Sequence, residues 1–317
     1  PGRRTHQLMP IPALDGIVTV LNTPFTESGD IDTRSMRAHV EYALEAGVAG
    51  FLVPAMASEV SKLSESERIS LVTTVIEAVG GRVPIIGGAS HPDENGRKRI
   101  ARALIDLGCD GLLVSMPYES DARYESDLRR IADLGPPYLM IQDWDAVGYG
   151  LPVPLIARLH EAGLFQSLKV EVVPAGPKYS EVRSATGGGL HLAGGWAVSQ
   201  MIDALDRGVN TIMPTAMHRT YVSIYRTYDR GDRSGAVALF ERMLPVLAFA
   251  NQHLDISIHF FKRLLYAQDV FQTPMVRQPT LPFDEIHERH AARLIDLAIE
   301  LEGVGADPGD HTAPWRR

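Results

Sequence analysis

The lysine at position 169 stands inside residues 165–173 (FQSLKVEVV), a short apolar run rich in β-branched residues that predicts a buried strand. A lysine buried in this way is costly unless it is paired or functional. Loss of water favours the neutral amine, which is a nucleophile toward carbonyl carbons. Lys169 is therefore a candidate for Schiff-base chemistry, the alternative being a strand-end lysine that reaches water or pairs with Glu171. The other four lysines fall in polar stretches typical of helices or loops: Lys62, Lys98, Lys178 and Lys262.

Glu171 follows Lys169 at a spacing of two residues, which places both side chains on the same face of a strand. A carboxylate beside an amine can orient it, stabilise an iminium ion, or move a proton at the carbon next to the imine. The same spacing is also compatible with a plain ion pair. Glu171 is thus a catalytic candidate on the condition that Lys169 is the nucleophile.

Eight short apolar runs alternate with longer amphipathic runs along the chain. The apolar runs predict strands at residues 16–25, 50–55, 83–89, 111–117, 138–143, 165–172, 190–195 and 211–214. The runs between them predict helices at residues 33–46, 64–79, 93–107, 123–134, 154–162, 176–185, 198–206 and 217–229. Asp32 is a predicted N-cap, and Ser64 with Glu67 matches a capping box. Glycines stand where several helices should end: Gly47, Gly80, Gly108 and Gly163.

This alternation predicts an α/β fold, a closed (β/α)8 TIM barrel of parallel strands with a C-terminal helical extension. An open doubly wound sheet is the alternative, but no G-x-G-x-x-G turn follows the first strand. Three further helix patterns occupy residues 234–249, 257–267 and 283–301. We expect a flexible arm at residues 1–10, the barrel at 11–231, a helical cap packed on it at 232–303, and a flexible tail at 304–317.

Polar residues follow the predicted strands at the end where a parallel barrel carries its active site. After strand four, Tyr118 could donate a hydroxyl near the imine or at a subunit contact, or could pack over the barrel mouth. After strand two, Ser58 could hold a substrate carboxylate or cap its own loop, whereas Glu59 is interpreted as an acceptor for loop amides. Further candidates for substrate contact, after strands two, five and seven, are Ala57, Gln142, Asp143, Gly194 and the pocket-wall candidate Trp196.

Composition excludes several classes of protein. A formal net charge of −8, with no basic stripe among aromatic residues, argues against nucleic-acid binding. No apolar stretch is long enough to span a bilayer and no secretory signal is recognised, so we expect no membrane association and a cytoplasmic location. Cys109 is the single cysteine, which excludes an intrachain disulfide and is typical of a small core residue. The eleven histidines show neither H-x-H nor H-E-x-x-H spacing, so we expect no metal.

Several motifs together resemble the dihydrodipicolinate synthase / N-acetylneuraminate lyase family of class I aldolases and dehydratases. They are GIVTVLNTPF at residues 16–25, AMASE at 55–59 before LSESER at 63–68, MPY at 116–118, and the strand-six lysine, in a resemblance that covers residues 11–301. The resemblance implies an imine between Lys169 and the keto carbon of a small-molecule 2-oxo acid, such as pyruvate or a sugar-derived acid. It also implies that no metal or organic cofactor is needed and that the protein is a homotetramer, a dimer of dimers.

The sequence departs from the best-known members of that family. Gln142 takes the place of the usual strand-five tyrosine, and Met56 and Ala57 replace two threonines, leaving Ser58. SE at 58–59, QD at 142–143, KVEV at 169–172 and GGW at 194–196 are similar to the L-2-keto-3-deoxyarabonate dehydratase subgroup. The acidic residues usual after that tryptophan are replaced by AVSQ at 197–200, so we expect a different substrate tail.

We therefore predict a lyase of 2-oxo acids, with a 2-keto-3-deoxy sugar acid as the reference substrate, that works through a Lys169 imine. Glu171, or a water that it holds, would remove the C3 proton, and a hydroxyl would leave from C4, while Gln142 and Tyr118 orient water or substrate hydroxyls. Dehydration is preferred to retro-aldol cleavage because Gln142 cannot relay a proton as a phenol does. A catalytically silent ligand-binding barrel is the third alternative.

Overall fold

The computed structural model describes residues 14–304, apart from the side chains of Trp196, Ala197 and Val304. Eight parallel strands follow one another around a closed barrel, in which the first strand also pairs with the last. The strands are β1 Gly16–Val20, β2 Gly50–Val53, β3 Ile85–Gly88, β4 Gly111–Val114, β5 Leu139–Trp144, β6 Ser167–Glu171, β7 His191–Gly194 and β8 Thr211–Ile212. The predicted TIM barrel is confirmed.

A helix follows each strand, and three more helices complete the part of the chain that the structure describes. They are α1 Thr33–Ala46, α2 Glu65–Val79, α3 Glu94–Leu107, α4 Asp121–Ala132, α5 Val153–Glu161, α6 Ala175–Ala185, α7 Met201–Asp206, α8 His218–Asp229, α9 Arg233–Ala250, α10 Leu254–Ala267 and α11 Glu285–Val304. Short 3₁₀ helices cover Met56–Ser58, Val60–Lys62 and Trp196–Gln200. The predicted boundary at 231/232 falls between α8 and α9, whereas the predicted arm (1–10) and nearly all of the predicted tail (304–317) lie outside the described residues.

Helix ends form where the sequence places capping residues. The side chain of Asp32 accepts hydrogen bonds from the backbone N–H groups of Arg34 and Ser35 at the start of α1. Ser64 and Glu67 form the reciprocal capping box at the start of α2. Gly47 ends α1 in the left-handed region, at φ +85°, where a residue with a Cβ would be strained.

Seven of the eight strands are shorter than the apolar runs that predict them, and β5 is as long as its run but shifted by one residue. In the run at 16–25, for example, strand pairing ends at Val20, but Leu21 and Phe25 are still buried in the layer between strands and helices. Apolar character follows burial, and loop residues beneath a helical layer are buried as well. Side chains inside the barrel form a separate cluster that includes Val18, Leu52 and Met140. The alternation of inward and outward side chains along each strand is what positions the site described below.

The last helix is joined to the barrel through a buried carboxylate. Helix α8 has no side-chain N-cap of its own. Glu302, on α11, instead accepts hydrogen bonds from the backbone N–H and hydroxyl of Thr220 at 2.8 and 2.7 Å, and from the hydroxyl of Tyr42 at 3.0 Å. Burial raises the pKa of Glu302, although these hydrogen bonds act to lower it. The C-terminal extension therefore supplies the hydrogen-bond acceptor that caps a barrel helix. No helix within residues 14–304 is long and apolar enough to cross a membrane.

A buried histidine pair should make the fold acid-sensitive. The Nε2 atoms of His39 and His218 lie 3.3 Å apart, and burial lowers the pKa of His39 to about 3 from its ordinary value of 6.5. The unfolded chain therefore binds a proton that the folded chain refuses, so this contribution to stability is fully present above pH 6.5 and is lost as the pH falls below it. We expect the free energy of unfolding to decrease by about 2 kcal/mol in total between pH 7 and 5 for this histidine, with a slope that approaches about 1.4 kcal/mol per pH unit at the acidic end. Urea unfolding between pH 7 and 5 measures the slope.

The control for this prediction is His290, which is exposed on α11. His39→Gln should reduce the slope of stability against pH, whereas His290→Gln should leave it unchanged. Equal slopes for the wild-type protein and His39→Gln would contradict the prediction.

Candidate active site

Strand β6 presents a lysine and a carboxylate to the interior of the barrel. Leu168 and Val170 point outward and pack in the layer between strands and helices. The alternate residues Lys169 and Glu171 point inward, and Lys169 Nζ lies 2.9 Å from Glu171 Oε1. Lys169 is only 4% exposed. The predicted shared face of these two residues is thus found in the structure.

A glutamine on the neighbouring strand holds the second oxygen of this carboxylate. Gln142 is paired in register with Lys169 between β5 and β6, so the two side chains emerge side by side. Its Nε2 donates a short hydrogen bond to Glu171 Oε2 and lies 3.8 Å from Met56 Sδ. Glu171 is therefore oriented by an amine on one oxygen and an amide on the other.

The lysine and the carboxylate both line a cavity of about 470 Å³ at the carboxyl end of the barrel. The turn at residues 55–57, after β2, forms part of its wall. The helical extension closes the other side, through α10 and the residues before it. The cavity thus lies between the barrel mouth and the C-terminal cap.

Three of the five lysines are buried, and each is paired with a carboxylate. Lys178 lies 3.2 Å from Asp143 and donates to two backbone carbonyls of the loop after β5. Lys262 donates to Glu59 and to a backbone carbonyl beyond α10. Both lie in helices as predicted, but their surroundings are not polar. Among the hydrogen bonds of residues 14–304, Lys169 has no backbone carbonyl acceptor, and it faces a cavity.

Gly195, at the end of β7, leaves the space that this pair occupies. A Cβ added there would lie 2.6 Å from Lys169 Cε and closer still to Glu171 Oε1. The backbone at Gly195, with φ −78° and ψ −52°, suits any residue, so the requirement is for space alone. This position was not among the candidates from sequence, which included Gly194, a residue of β7 paired with Val170.

Gly195→Ala should therefore displace the lysine and its carboxylate without unfolding the barrel. We expect kcat/KM to fall by about 10²-fold, because a shift of about 1 Å in reacting groups has an effect of that size. Kinetics on a turned-over 2-oxo acid, with thermal unfolding in parallel, provide the measurement. Gly303→Ala is the matched control, since a Cβ there meets nothing within 4 Å. Wild-type kinetics for Gly195→Ala would refute the prediction.

The strand-two candidates lie in a tightly bonded turn. Ala57 lines the cavity, but the Ser58 hydroxyl donates to the Leu21 carbonyl at 2.5 Å and accepts from the Ala55 N–H at 3.0 Å. This geometry matches the loop-capping alternative for Ser58. Glu59, 2% exposed, accepts from both Lys262 and a backbone N–H, in keeping with its interpretation as a structural acceptor.

Two other candidates lie apart from the Lys169 cavity. Asp143 points outward from β5, and its Oδ1 accepts a hydrogen bond at 2.7 Å from the backbone N–H of Leu151. Burial raises the pKa of Asp143, although Lys178 opposes this shift. Tyr118 is 44% exposed, and its hydroxyl donates to Asp121 at 2.7 Å. It lines a second cavity, of about 800 Å³, whose wall also includes Gln142 and shares residues 144–145 with the first. The side chain of Trp196 lies outside the described part of the structure.

Comparison with known proteins places this chain in a family. The profile of the Dihydrodipicolinate synthetase family matches residues 13–298. The chain belongs to this family. It is 25% identical over 298 residues to L-2-keto-3-deoxyarabonate dehydratase from Azospirillum brasilense, covering 90% of this chain and 94% of that one. It is 24% identical over 294 residues to 4-hydroxy-tetrahydrodipicolinate synthase from Methanosphaerula palustris, covering 89% and 98%. The crystal structure of dihydrodipicolinate synthase from Rhodopseudomonas palustris has the same fold, with a TM-score of 0.83, 20% identity, and coverage of 90% and 98%.

In this dihydrodipicolinate synthetase family protein, sequence reasoning missed the contribution of the C-terminal extension to the cavity. Asn251, His253 and Phe261 line it from residues between α9 and α10 and from α10 itself. Phe261 falls in a predicted helix, and Asn251 and His253 fall between two predicted helices. Such a pattern does not indicate which end of the barrel the helices cover. Across the described ranges, no group of three or more His, Cys, Asp or Glu side chains could hold a metal ion.

Proposed function

We propose that the protein is a lyase that forms an imine between Lys169 and a 2-oxo acid. One observation carries the proposal: of the three buried lysines, each paired with a carboxylate, Lys169 is the one that lines the cavity at the barrel mouth and has no backbone carbonyl acceptor within residues 14–304. The other two are tied to backbone carbonyls and support loops. A buried amine beside a carboxylate and an open cavity is the arrangement that nucleophilic attack on a ketone requires.

The first steps need only the two residues of β6. The ammonium group of Lys169 must lose a proton before it attacks the C2 keto carbon, and Glu171 Oε1, at 2.9 Å, is placed to accept it. Glu171 returns this proton to the hydroxyl of the carbinolamine, which leaves as water and gives the protonated imine, and the imine withdraws electrons from C3. Glu171, or a water that it holds, then removes the C3 proton and passes it to the C4 hydroxyl, which the enamine expels as water. Hydrolysis of the imine releases a 2-oxo-3-enoic acid and restores Lys169.

Gln142 is assigned a positioning role in this reaction. Its amide binds the oxygen of Glu171 that does not face Lys169, so it fixes the direction in which the carboxylate takes a proton. We place the carboxylate of the substrate against the backbone of residues 55–57, which lines the same cavity as Lys169. The Ser58 hydroxyl already has two partners in the protein, so we assign Ser58 the role of supporting the turn at residues 55–57 rather than that of binding substrate.

Dehydration is the favoured reaction, and retro-aldol cleavage is the second candidate. An aldol step must remove the proton of the C4 hydroxyl, and Gln142 cannot accept it as a phenolate would. The dehydratase from Azospirillum brasilense, similar over nearly its full length, supports the same choice. The family membership and the synthase relative keep carbon–carbon cleavage or condensation as the alternative.

Borohydride reduction in the presence of 2-oxo acids tests the imine. Pyruvate and a set of 4-hydroxy-2-oxo acids are each reduced with the wild-type protein, and the adduct is located by peptide mapping. We expect one adduct per chain, on Lys169 and not on Lys178 or Lys262. No adduct with any acid would refute the proposal and favour the silent binding barrel. Without borohydride, loss of water from the substrate indicates dehydration, whereas release of pyruvate indicates retro-aldol cleavage.

We also propose that the protein is a homotetramer that acts in the cytoplasm, on the strength of its family. The exposed aromatic ring of Tyr118, beside a cavity at the barrel mouth, is compatible with a subunit contact. Light scattering on the purified protein distinguishes a tetramer of 34.7 kDa chains from smaller assemblies.

A further inference from the structure

The wall of the Lys169 cavity away from the imine is largely apolar. Aliphatic and aromatic side chains from five separate parts of the chain line it: Met56, Trp144, Val173, Val198, Leu254 and Phe261. Several of these are exposed in spite of their size, with 41% of Met56, 51% of Trp144 and 64% of Val173 accessible. Apolar surface at a cavity mouth gains about 25 cal/mol for each Å² that a ligand covers. The wall therefore favours an apolar ligand group.

Several polar side chains in the same wall, Gln252 and His253 among them, bond to the protein itself. Asp145 accepts from the backbone N–H groups of Val147 and Gly148, at 3.1 and 2.8 Å, and these bonds lower its pKa. Asn251 donates to the Ser199 hydroxyl at 2.6 Å. A substrate chain with several hydroxyls would need partners along this wall, and much of the polar capacity there is engaged in local structure.

The charges in the wall do not suit an anionic tail. Glu171 and Asp145 are acidic, and Lys169 is the single lysine or arginine among the described residues that line the cavity. Once Lys169 is bonded to C2 of the substrate, a second carboxylate or a phosphate on the tail would find two carboxylates and no free cation. The tail should therefore be uncharged.

We infer that the natural substrate is a 4-hydroxy-2-oxo acid whose C4 carries an uncharged apolar group, aromatic or branched aliphatic, in place of a polyhydroxylated chain. This inference rests on the proposed function and specifies its substrate class. The apolar group lies between Trp144 and the helical cap, and the reaction at C2 to C4 is unchanged. R–CH(OH)–CH₂–CO–COO⁻ loses water to give R–CH=CH–CO–COO⁻, and no oxidant or reductant is involved.

Two substrates matched in chain length test the inference. One is 4-hydroxy-2-oxo-4-phenylbutanoate. The other is a 2-keto-3-deoxy sugar acid whose hydroxylated tail beyond C4 has about as many heavy atoms as the phenyl ring. We expect kcat/KM to favour the phenyl acid by at least about tenfold, the scale of discrimination that an apolar pocket provides. Equal values, or a preference for the sugar acid, would overturn the inference.

Pyruvate trapping in the same samples separates this inference from the proposed function. A pyruvate adduct together with a preference for the sugar acid leaves the imine intact and overturns only the apolar tail. The absence of every adduct overturns both.

Variants locate the preference in the wall. Trp144→Ala should reduce kcat/KM for the phenyl acid about tenfold more than for the sugar acid, because the side chain contacts the tail and not the reacting carbons. Leu281→Ala is the matched control, since it removes an apolar side chain of similar exposure that does not line the cavity. Equal losses for both substrates in Trp144→Ala would count against the inference.

Discussion

Lys169→Ala is expected to lower kcat/KM for any 2-oxo acid substrate by at least about 10³-fold, since the residue that forms the covalent intermediate is removed. The substitution should leave the fold intact, because the side chain faces a cavity and its partner Glu171 keeps its bond to Gln142. Lys169→Arg should be equally inactive, since a guanidinium remains protonated and cannot form the imine. Steady-state kinetics and intact-protein mass after borohydride reduction measure both effects.

The other buried lysines provide matched controls for this result. Lys178→Met removes a buried amine that is paired with Asp143 outside the Lys169 cavity. It should lower stability but retain the adduct and substantial turnover per folded molecule. If Lys169→Ala kept its turnover, or if Lys178→Met lost the adduct while still folded, the assignment of the nucleophile would be wrong.

Lys262→Met is expected to reduce the free energy of unfolding by about 3 kcal/mol, because it leaves the carboxylate of Glu59 buried without its main cation. Lys262 and Glu59 both have side chains that are 0% exposed. Burial lowers the pKa of Lys262 to about 8, and the contact with Glu59 opposes this shift. Urea unfolding monitored by circular dichroism gives the change.

A double-mutant cycle distinguishes this mechanism from simple loss of packing. Lys262→Met combined with Glu59→Gln removes both charges and should recover a large part of the lost stability. Arg37→Met, which breaks an exposed pair with Glu77, should change the free energy of unfolding by no more than about 1 kcal/mol. Additive losses in the double mutant would contradict the expected coupling.

The Lys262–Glu59 pair also affects the site, because Glu59 directly follows Ser58, which supports the turn at residues 55–57. The Glu59 side chain accepts from Lys62 at 3.0 Å and from the backbone N–H of Arg277 at 3.0 Å, so three segments converge on one carboxylate. The extension thereby holds the strand-two turn that forms the cavity wall. A substitution that disrupts the Glu59 contacts should therefore lower the stability of the protein and also change the shape of the cavity wall.

Much of the fold could be predicted because its signals are local. Apolar runs of strand length, the Asp32 cap, the Ser64–Glu67 capping box and the glycines at helix ends each act over a few residues. Eight repetitions of the same unit then leave few topologies open. The inward direction of Lys169 and Glu171 was also predictable, since it follows from alternation along one strand. The same alternation, applied to β5, would have separated Gln142 from Asp143.

Contacts between distant segments could not be predicted in this way. The burial of Lys178 and Lys262 was missed because their carboxylate partners, Asp143 and Glu59, lie far away in sequence. Nothing in the sequence indicated that position 195 must lack a side chain, because the atoms that a Cβ would meet belong to another strand. The two internal bonds of the Ser58 hydroxyl depend on how the turn is packed against the residues after β1.

The sequence by itself determined the barrel, the candidate nucleophile and the carboxylate beside it, because strand periodicity and the cost of burying an amine operate over neighbouring residues. Only the tertiary structure decided which buried lysine faces a cavity, which hydroxyls remain free for substrate, and what chemical character the far wall has. Those properties arise where side chains from several strands and from the C-terminal helices meet, and the position of each depends on the packing of all the others.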